Sequence, residues 1–216
     1  SMSLHGKQQL VAVTEKAGIP LIEDDVYGDL AGEGQRPPAC KAFDQRGNVI
    51  YCSSLSKTLA PGWRIGWIVA GRYHDRVLQA RMAGDWAGVP LLEAATCDIL
   101  GSGDYDRHLK RLKQRIHDGV QAVIRQVKTS FPPGTQINIP AAGFLLWVEL
   151  PSQVSAPEVH RQALIQGIGV SPGPLFSPGG ELHHYLRLNC ANEPTPQLLQ
   201  AVATIGEICC QLAAGQ

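Results

Sequence analysis

The sequence has no excess of charge of either sign, few aromatic residues and no long apolar run. Lys plus Arg and Asp plus Glu both number 19 among 216 residues, so the formal net charge is zero. A neutral chain lacks the basic field that typifies nucleic-acid binding. No apolar run reaches the roughly 18 residues of a membrane-spanning helix, and no signal-peptide pattern is present. We therefore expect neither a membrane protein nor a secreted one.

Cysteine and histidine are present without the spacings that give them special roles. The six cysteines include no C-x-x-C pair, and the seven histidines include no H-x-x-x-H pair. Adjacent Cys209 and Cys210 cannot close a disulfide on each other without strain. These patterns predict a reducing, cytoplasmic compartment and no metal site.

The first half of the chain alternates short apolar runs with helical patterns. The apolar runs are "PLIEDD" and residues 48–54 and 64–71, and helical spacing covers residues 4–17, 74–82 and 90–100. Near-continuous apolar runs favour strands whose sheet is covered on both faces, as in α/β proteins with a mainly parallel sheet. We predict this fold class for residues 1–104.

The second half of the chain has a different order of predicted helices and strands. Residues 105–127 place apolar side chains along one stripe of a long amphipathic helix: Leu109, Leu112, Ile116, Val120, Val123 and Val127. A Pro-Gly-rich segment follows, and then strands "FLLWVEL" and "HYLRLNC", which flank a helix at about 156–166, and a last helix at about 195–212. The pattern predicts a connecting helix at 105–129 and a small α+β domain at 130–216.

One lysine lies in a neighbourhood that suits chemistry. Lys57 occurs in "SSLSKTLAPGWRIGW", directly after a predicted buried strand, where open α/β sheets place their ligands. A lysine is usually an exposed surface charge. Here, however, Ser54, Ser56 and Arg64 supply the hydroxyls and the guanidinium that bind a phosphate. An amine beside a phosphate site predicts a Schiff base.

The pattern S-x-S-K-x-x-x-P-G-x-R-x-G-W resembles the lysine signature of fold type I pyridoxal-phosphate enzymes, the aminotransferase class I/II superfamily. The resemblance implies that pyridoxal 5′-phosphate is the cofactor and that Lys57 holds it as an internal aldimine. It also implies that Ser54, Ser56 and Arg64 bind the cofactor's phosphate.

The upstream segment "EDDVY" resembles the D-x-x-Y element of the same superfamily. The resemblance implies that Asp24 keeps the cofactor's pyridine nitrogen protonated, while Tyr27 hydrogen-bonds the ring's phenolate oxygen. Asp24 has the required three-residue offset to Tyr27, and strand alternation puts Asp25 on the opposite side. The alternative is that the acids cap a helix or coat a loop.

The segment "YLRLNCA" resembles the part of the small domain that carries the substrate-binding arginine. It implies that Arg187 clamps the α-carboxylate of an amino acid; the alternative is an ordinary arginine at a strand edge. The turn "GIGVSPGPLFS" precedes it in the superfamily's order.

His108, in "YDRHLKRLK", is interpreted as lying on the solvated face of its helix.

The resemblance extends over almost the whole chain and also implies what lies outside it. In the superfamily, the phosphate-binding glycine loop, the aromatic residue that stacks on the cofactor and an asparagine at the phenolate oxygen precede the "EDD" strand. About twenty residues precede that strand here, and none matches. We therefore expect a C-terminal fragment: the second half of the large domain, followed by the small domain.

Two functions fit the resemblance. The first is the aminotransferase-like effector domain of a MocR-type regulator of the GntR family, a homodimer that senses pyridoxal phosphate or an amino-acid-like ligand. Such a regulator contacts DNA through an N-terminal helix-turn-helix domain outside this chain. The second is an aminotransferase that moves an amino group from an amino acid to a 2-oxo acid, with Lys57 as the base. Enzymatic activity stays undecided because fold alone does not fix function.

Overall fold

The computed structural model describes residues 2–31, 36–84, 87–139 and 143–215. The chain divides into two compact units, Ser1–Leu112 and Lys113–Gln216. The division predicted from the sequence, at residues 104 and 129, stays a prediction. Each unit has its own sheet.

The first unit contains a three-stranded sheet in the order β1-β2-β3. Its helices and strands follow the chain as α1 (Leu4–Lys16), β1 (Leu21–Asp24), β2 (Val49–Ser54), β3 (Gly66–Val69), α2 (His74–Gly84) and α3 (Pro90–Gly101). Strands β1 and β2 are parallel, while β3 runs antiparallel to β2. The predicted strands and helices are confirmed, with β3 two residues shorter at each end.

One face of this sheet is covered from within the unit. Helix α1 and a short 3₁₀ helix at Cys40–Phe43 supply Val11 and Cys40, which form a buried cluster with Val49 of β2. The Glu23 carboxylate accepts the amides of Cys40 and Lys41 at 2.6 and 3.0 Å, which caps the 3₁₀ helix. These contacts join α1, β1 and β2 into one layer.

The other face of the sheet is open, which corrects an expectation from the sequence. Ile22 of β1 is 68% exposed, and all four residues of β3 are exposed. The apolar runs predicted strands covered on both faces, but in the described residues α1 and the 3₁₀ helix cover only the side that carries Leu21 and Val49. Two of the predicted cofactor-binding residues, Asp24 and Ser54, belong to the open face.

The entry into β2 is fixed by two polar side chains. The Asp44 carboxylate accepts the amides of Asn48 and Val49 at 2.8 and 2.9 Å and pairs with Lys41 at 2.8 Å. Although burial opposes it, this set of donors lowers the pKa of Asp44 to about 2. Fully buried Asn48 donates its amide to the Ile19 carbonyl at 2.8 Å, which ties the start of β2 to the turn before β1.

The second unit contains an antiparallel sheet in the order β4-β5-β7-β6. Helix α4 (Asp104–Ser130) begins in the first unit and ends in this one. The remaining elements are β4 (Gln136–Asn138), β5 (Leu145–Glu149), α5 (Ala156–Ile165), β6 (Ser171–Pro172), β7 (Tyr185–Asn189) and α6 (Pro196–Ala213). The predicted long helix, both predicted strands and the last two helices are confirmed, whereas short β4 and β6 were missed.

Strict alternation in β5 and β7 separates a buried face from a half-buried one. Leu146, Val148 and Leu186 are fully buried, and the predicted apolar stripe of α4 is buried from Ile116 onward. The core contains these residues together with buried side chains of α5 and α6. Trp147 and Arg187 lie opposite each other in register on the half-buried face.

Two observations bear on the expectations from composition. None of the described helices is both long and apolar enough to cross a membrane. All six cysteines are free thiols. Cys209 is buried whereas Cys210 is exposed, so the two adjacent side chains have different environments.

The Asp44 contacts predict a pH-dependent effect on stability. Because the folded-state pKa lies below the usual Asp value, the contribution of Asp44 is present above pH 4 and is lost as the pH falls toward 2. Asp44→Asn should lower the free energy of unfolding at pH 7 by roughly 2 kcal/mol, and the difference should vanish near the folded-state pKa. Denaturant titrations across pH measure this, with exposed Asp98→Asn as the control. A difference that does not depend on pH would contradict it.

Candidate functional site

The topology of the first unit brings the predicted cofactor-binding segments to one edge of the sheet. Strands β1 and β2 are parallel, so Asp24 and Ser54 end them at the same edge. Lys57 follows β2 by three residues, and Arg64 precedes antiparallel β3 by two. Carboxyl ends of parallel strands are where open α/β sheets bind ligands.

On the open face, three side chains are neighbours in register. Asp24 pairs with Cys52, and Cys52 pairs with Ile68, so all three point to the same side. Burial, followed by the charge of Asp24, raises the pKa of the Cys52 thiol. The Asp24 carboxylate is therefore close enough to Cys52 to act on it electrostatically.

Ser54 faces the same side two residues further on, opposite Gly66. A Cβ on Gly66 would lie 2.8 Å from the Ser53 carbonyl oxygen and 3.1 Å from the Ser54 Cβ. The glycine of "RIGW" is therefore required for β3 to pair closely with β2. Because it has no side chain, Gly66 also leaves the surface beside Ser54 free for a ligand.

The two neighbouring acids after β1 have different environments. Asp25 pairs with Arg36 and accepts a hydrogen bond from the Tyr51 hydroxyl at 3.2 Å. Asp24 is exposed on the open face, and no hydrogen bond or ion pair engages it among the described residues. The environment thus makes Asp25 structural and leaves Asp24 available to a ligand, and its assignment to the pyridine nitrogen stays a prediction.

Lys57 is exposed at the edge of the sheet. Within the described ranges its amine has no hydrogen bond and no ion pair. The neighbouring side chains Leu55 and Thr58 are buried, so the loop is anchored while the lysine points outward. An unpaired amine on an anchored loop can condense with an aldehyde.

Two of the predicted phosphate-binding residues have distinctive local structure: Ser54 forms a hydrogen bond within a turn, and Arg64 has a strained backbone. The Ser54 Oγ accepts the Ser56 amide at 3.4 Å, which leaves its own proton for an anion. Arg64 adopts φ 54° and ψ 33°, a left-handed conformation that costs a non-glycine residue about 1–2 kcal/mol. Such strain is typical of functional positions.

Tyr27 lies just after β1, at the residue that precedes the 3₁₀ helix Gly28–Leu30, and is 38% exposed. Tyr27 therefore comes shortly after the end of β1 that carries Asp24. The predicted role at the cofactor's phenolate oxygen stays a prediction.

In the second unit, Arg187 lies at the centre of the sheet between Trp147 and Ser171. Its guanidinium carbon is 4.2 Å from the Phe176 ring centroid. Trp147 meets Phe176 edge-on at 5.6 Å between ring centroids. No acidic side chain pairs with Arg187 in the described part of the chain. A contact with a ring face uses none of the N–H donors, so they stay available for a carboxylate.

The Gly-Pro turn holds Phe176 in this place. A Cβ on Gly173 would lie 2.2 Å from the Leu182 carbonyl oxygen, so only glycine allows this close approach.

A cavity of about 350 Å³ adjoins Arg187 within the same unit, a size that suits a small ligand. Its polar lining residues are Ser171, Arg187, Asn189 and Asn192, and its apolar ones include Leu145, Ile168 and Val202.

Sequence reasoning missed the contacts that hold the Lys57 loop. His108, interpreted as solvated, is half-buried, and its Nε2 lies 2.8 Å from the Thr58 carbonyl oxygen. The Tyr105 hydroxyl lies 2.9 Å from the Thr58 Oγ1. Tyr105 and His108 are three residues apart and hence on one helix face, which is the signal that could have indicated a shared partner.

Lys57, Arg64, two serine hydroxyls and the Asp24 carboxylate, which has no ion pair among the described residues, lie at one edge of an α/β sheet and suit pyridoxal phosphate. The model of the family "Aminotransferase class I and II" matches residues 2–205. The chain belongs to this family, whose cofactor is pyridoxal 5′-phosphate.

Known proteins of two kinds resemble the chain. It is 37% identical over 201 residues to the HTH-type transcriptional regulator YjiR of Escherichia coli K12, covering 93% of this chain and 43% of YjiR. It is 25% identical over 208 residues to aromatic-amino-acid aminotransferase 1 of Thermococcus litoralis, covering 96% of this chain and 50% of that enzyme. The chain thus spans about half the length of these relatives, or less.

Solved structures confirm the predicted fold, fold type I. The α-aminoadipate aminotransferase LysN from Thermus thermophilus, complexed with N-(5′-phosphopyridoxyl)-L-leucine, superimposes with a TM-score of 0.91. It is 26% identical, and the match covers 99% of this chain and 56% of LysN. The predicted α/β class with a small α+β domain is therefore confirmed.

The strain at Arg64 predicts that two substitutions weaken cofactor binding equally but differ in their effect on stability. Arg64→Gly and Arg64→Ala both remove the guanidinium, and each should weaken pyridoxal phosphate binding by about 1.5–3 kcal/mol. Only glycine relieves the left-handed backbone, so the glycine variant should be more stable than the alanine variant by about 1 kcal/mol. Denaturant unfolding and equilibrium binding in the complete protein measure the two effects. Equal stability of the two variants would rule out backbone strain.

Proposed function

We propose that this chain is the pyridoxal-phosphate-binding, aminotransferase-like effector part of a transcriptional regulator of the MocR type in the GntR family. In this proposal, a helix-turn-helix domain outside the chain contacts DNA, and the effector part senses pyridoxal phosphate, an amino-acid-like ligand or both. The complete protein is a cytoplasmic homodimer. The observation that carries the proposal is the 37% identity to an HTH-type regulator over 93% of the chain.

The residues of the first unit support the cofactor part of the proposal. Lys57 would hold pyridoxal phosphate covalently through its amine. Arg64, Ser54 and Ser56 bind the phosphate, whose charge the guanidinium offsets. Asp24 holds a proton on the pyridine nitrogen, while Tyr27 donates to the phenolate oxygen. When bound, pyridoxal phosphate supplies an electron sink for an amino acid's Cα.

Arg187 supplies the ligand-binding part. The Arg187 guanidinium, which lies on an aromatic ring and has no ion pair within the described ranges, suits the α-carboxylate of an amino acid, which it can bind through two parallel hydrogen bonds. This set of residues serves a sensor as well as an enzyme, since both must bind the cofactor and the amino acid.

The second candidate is an aminotransferase that transfers an amino group from an amino acid to a 2-oxo acid, in which Lys57 would be the base at the amino acid's Cα. The match to the Thermococcus litoralis enzyme and the similarity to LysN favour this candidate. The higher identity to YjiR favours the regulator.

The cofactor assignment predicts a single attachment point. Borohydride reduction of the complete protein loaded with pyridoxal phosphate should fix the cofactor on Lys57, as peptide mass spectrometry would show. Lys57→Ala should abolish this modification and leave the folded structure intact, because the side chain is exposed and has no partner among the described residues. Exposed Lys110→Ala is the control and should keep the modification. Attachment at another lysine would refute the assignment.

The choice between regulator and enzyme predicts different behaviour of the complete protein. A regulator should bind DNA from its own promoter region, and pyridoxal phosphate or an amino acid should change that affinity. Gel-shift titrations measure this. Turnover of amino acids with 2-oxo acids at about 1 s⁻¹ or faster, without DNA binding, would instead favour the aminotransferase.

A further inference from the structure

The loop that carries Lys57 is fixed from its buried side. Leu55 is 1% exposed and Thr58 is 2% exposed. The amides of Thr58, Leu59 and Ala60 all donate to the Leu55 carbonyl, at 3.3, 2.9 and 3.2 Å. The loop is therefore a tight turn whose buried residues flank the exposed lysine.

Thr58 makes two further contacts with the start of α4. Its Oγ1 lies 2.9 Å from the Tyr105 hydroxyl, and its carbonyl oxygen lies 2.8 Å from the His108 Nε2. A carbonyl oxygen can only accept, so the His108 Nε2 carries the hydrogen, and this bond forms with neutral or charged imidazole. Both the side chain and the backbone of the residue after Lys57 are thus held.

Tyr105 also reaches the segment that follows β1. Its hydroxyl lies 2.8 Å from the Asp29 Oδ2. A phenol has one proton and a carboxylate only accepts, so Tyr105 donates to Asp29 and the Thr58 hydroxyl donates to Tyr105. Burial and the Asp29 acceptor outweigh the Thr58 donor and raise the pKa of Tyr105 to about 12. The phenol therefore keeps its proton at neutral pH.

Asp29 is itself fixed on its other side. Its Oδ1 pairs with the Arg36 Nη1 at 2.8 Å, and Arg36 also pairs with Asp25, the neighbour of Asp24. A continuous chain of hydrogen bonds and ion pairs therefore joins the end of β1 to the residue after Lys57. Tyr105 connects the Asp25–Arg36–Asp29 part of this network to Thr58.

We propose that Tyr105 is a positioning residue for Lys57: by bridging Asp29 and Thr58, it fixes the lysine loop relative to the segment that carries Asp24 and Tyr27. The inference rests on the proposed role of Lys57. Lys57 and Asp24 belong to different strand ends, and a reaction at Lys57 needs its amine held in one position, about 3–3.5 Å from the aldehyde carbon, because a misplacement of about 1 Å lowers the rate strongly. The bridge supplies that constraint.

The test is the rate at which pyridoxal phosphate attaches to Lys57 in the cofactor-free complete protein. Tyr105→Phe keeps the ring and removes both hydrogen bonds, so attachment should slow about tenfold, as expected for the loss of roughly 1.4 kcal/mol. Borohydride trapping at timed intervals and peptide mass spectrometry measure the rate. Binding of pyridoxine 5′-phosphate, which has no aldehyde, should stay within about twofold because Lys57 takes no covalent part in it.

Matched variants separate positioning from a general loss of stability. Thr58→Ser keeps the hydroxyl and should keep the rate, whereas Thr58→Val should reproduce the Tyr105→Phe defect. The double variant should be no slower than either single one, because both remove the same bond. Tyr73→Phe removes a hydroxyl that donates to Asn48 at 3.1 Å and accepts from Arg72 at 2.8 Å, away from the loop, and should leave the attachment rate unchanged.

The outcomes distinguish two failures. Attachment at Lys57 that is equally fast in the unaltered protein and in Tyr105→Phe would overturn this inference alone. So would equal slowing by Tyr73→Phe, since the effect would then be one of stability. Absence of attachment at Lys57 in the unaltered protein would overturn the proposed function and, with it, this inference.

Discussion

The parallel pairing of β1 with β2 is the constraint on which the rest of the first unit depends. It aligns Leu21 with Val49 on the covered face and Asp24 with Cys52 on the open face. Because a shift by one residue would exchange the two faces, the register decides both which apolar residues are buried and which carboxylate faces a ligand. The buried polar contacts of Asp44 and Asn48 reinforce this register where β2 begins.

The same unit combines rigid support with an exposed reactive group. Buried Leu55 and Thr58 hold the loop, while Lys57 between them is exposed. Arg64 adopts a left-handed backbone conformation at a local energetic cost. In the second unit, Arg187 lies against an aromatic ring, and no described side chain accepts a hydrogen bond from its guanidinium. Lys57, Asp24 and Arg187 thus have no ion pair among the described residues, whereas the residues around them are packed and hydrogen-bonded.

Much of the fold and the main candidate residues could be predicted from the sequence. Helix α4 has a sustained apolar stripe, and β5 and β7 have local patterns strong enough to show without tertiary information. Strands β4 and β6 have three and two residues, too short for any periodicity to appear. The open face of the first sheet could not be predicted, because an apolar run has the same sequence whether or not another layer covers it.

The sequence by itself determined the types of residue available for chemistry and their spacing along the chain, because these are local properties of motifs such as "SSLSKTLAPGWRIGW". Only the tertiary structure decided that Asp25 pairs with Arg36, while the Asp24 carboxylate has no ion pair in the described part of the chain. It alone showed that Tyr105 and His108 contact Thr58, almost fifty residues earlier in the chain. Such contacts depend on how strands and helices pack in three dimensions, and no short-range pattern encodes that packing.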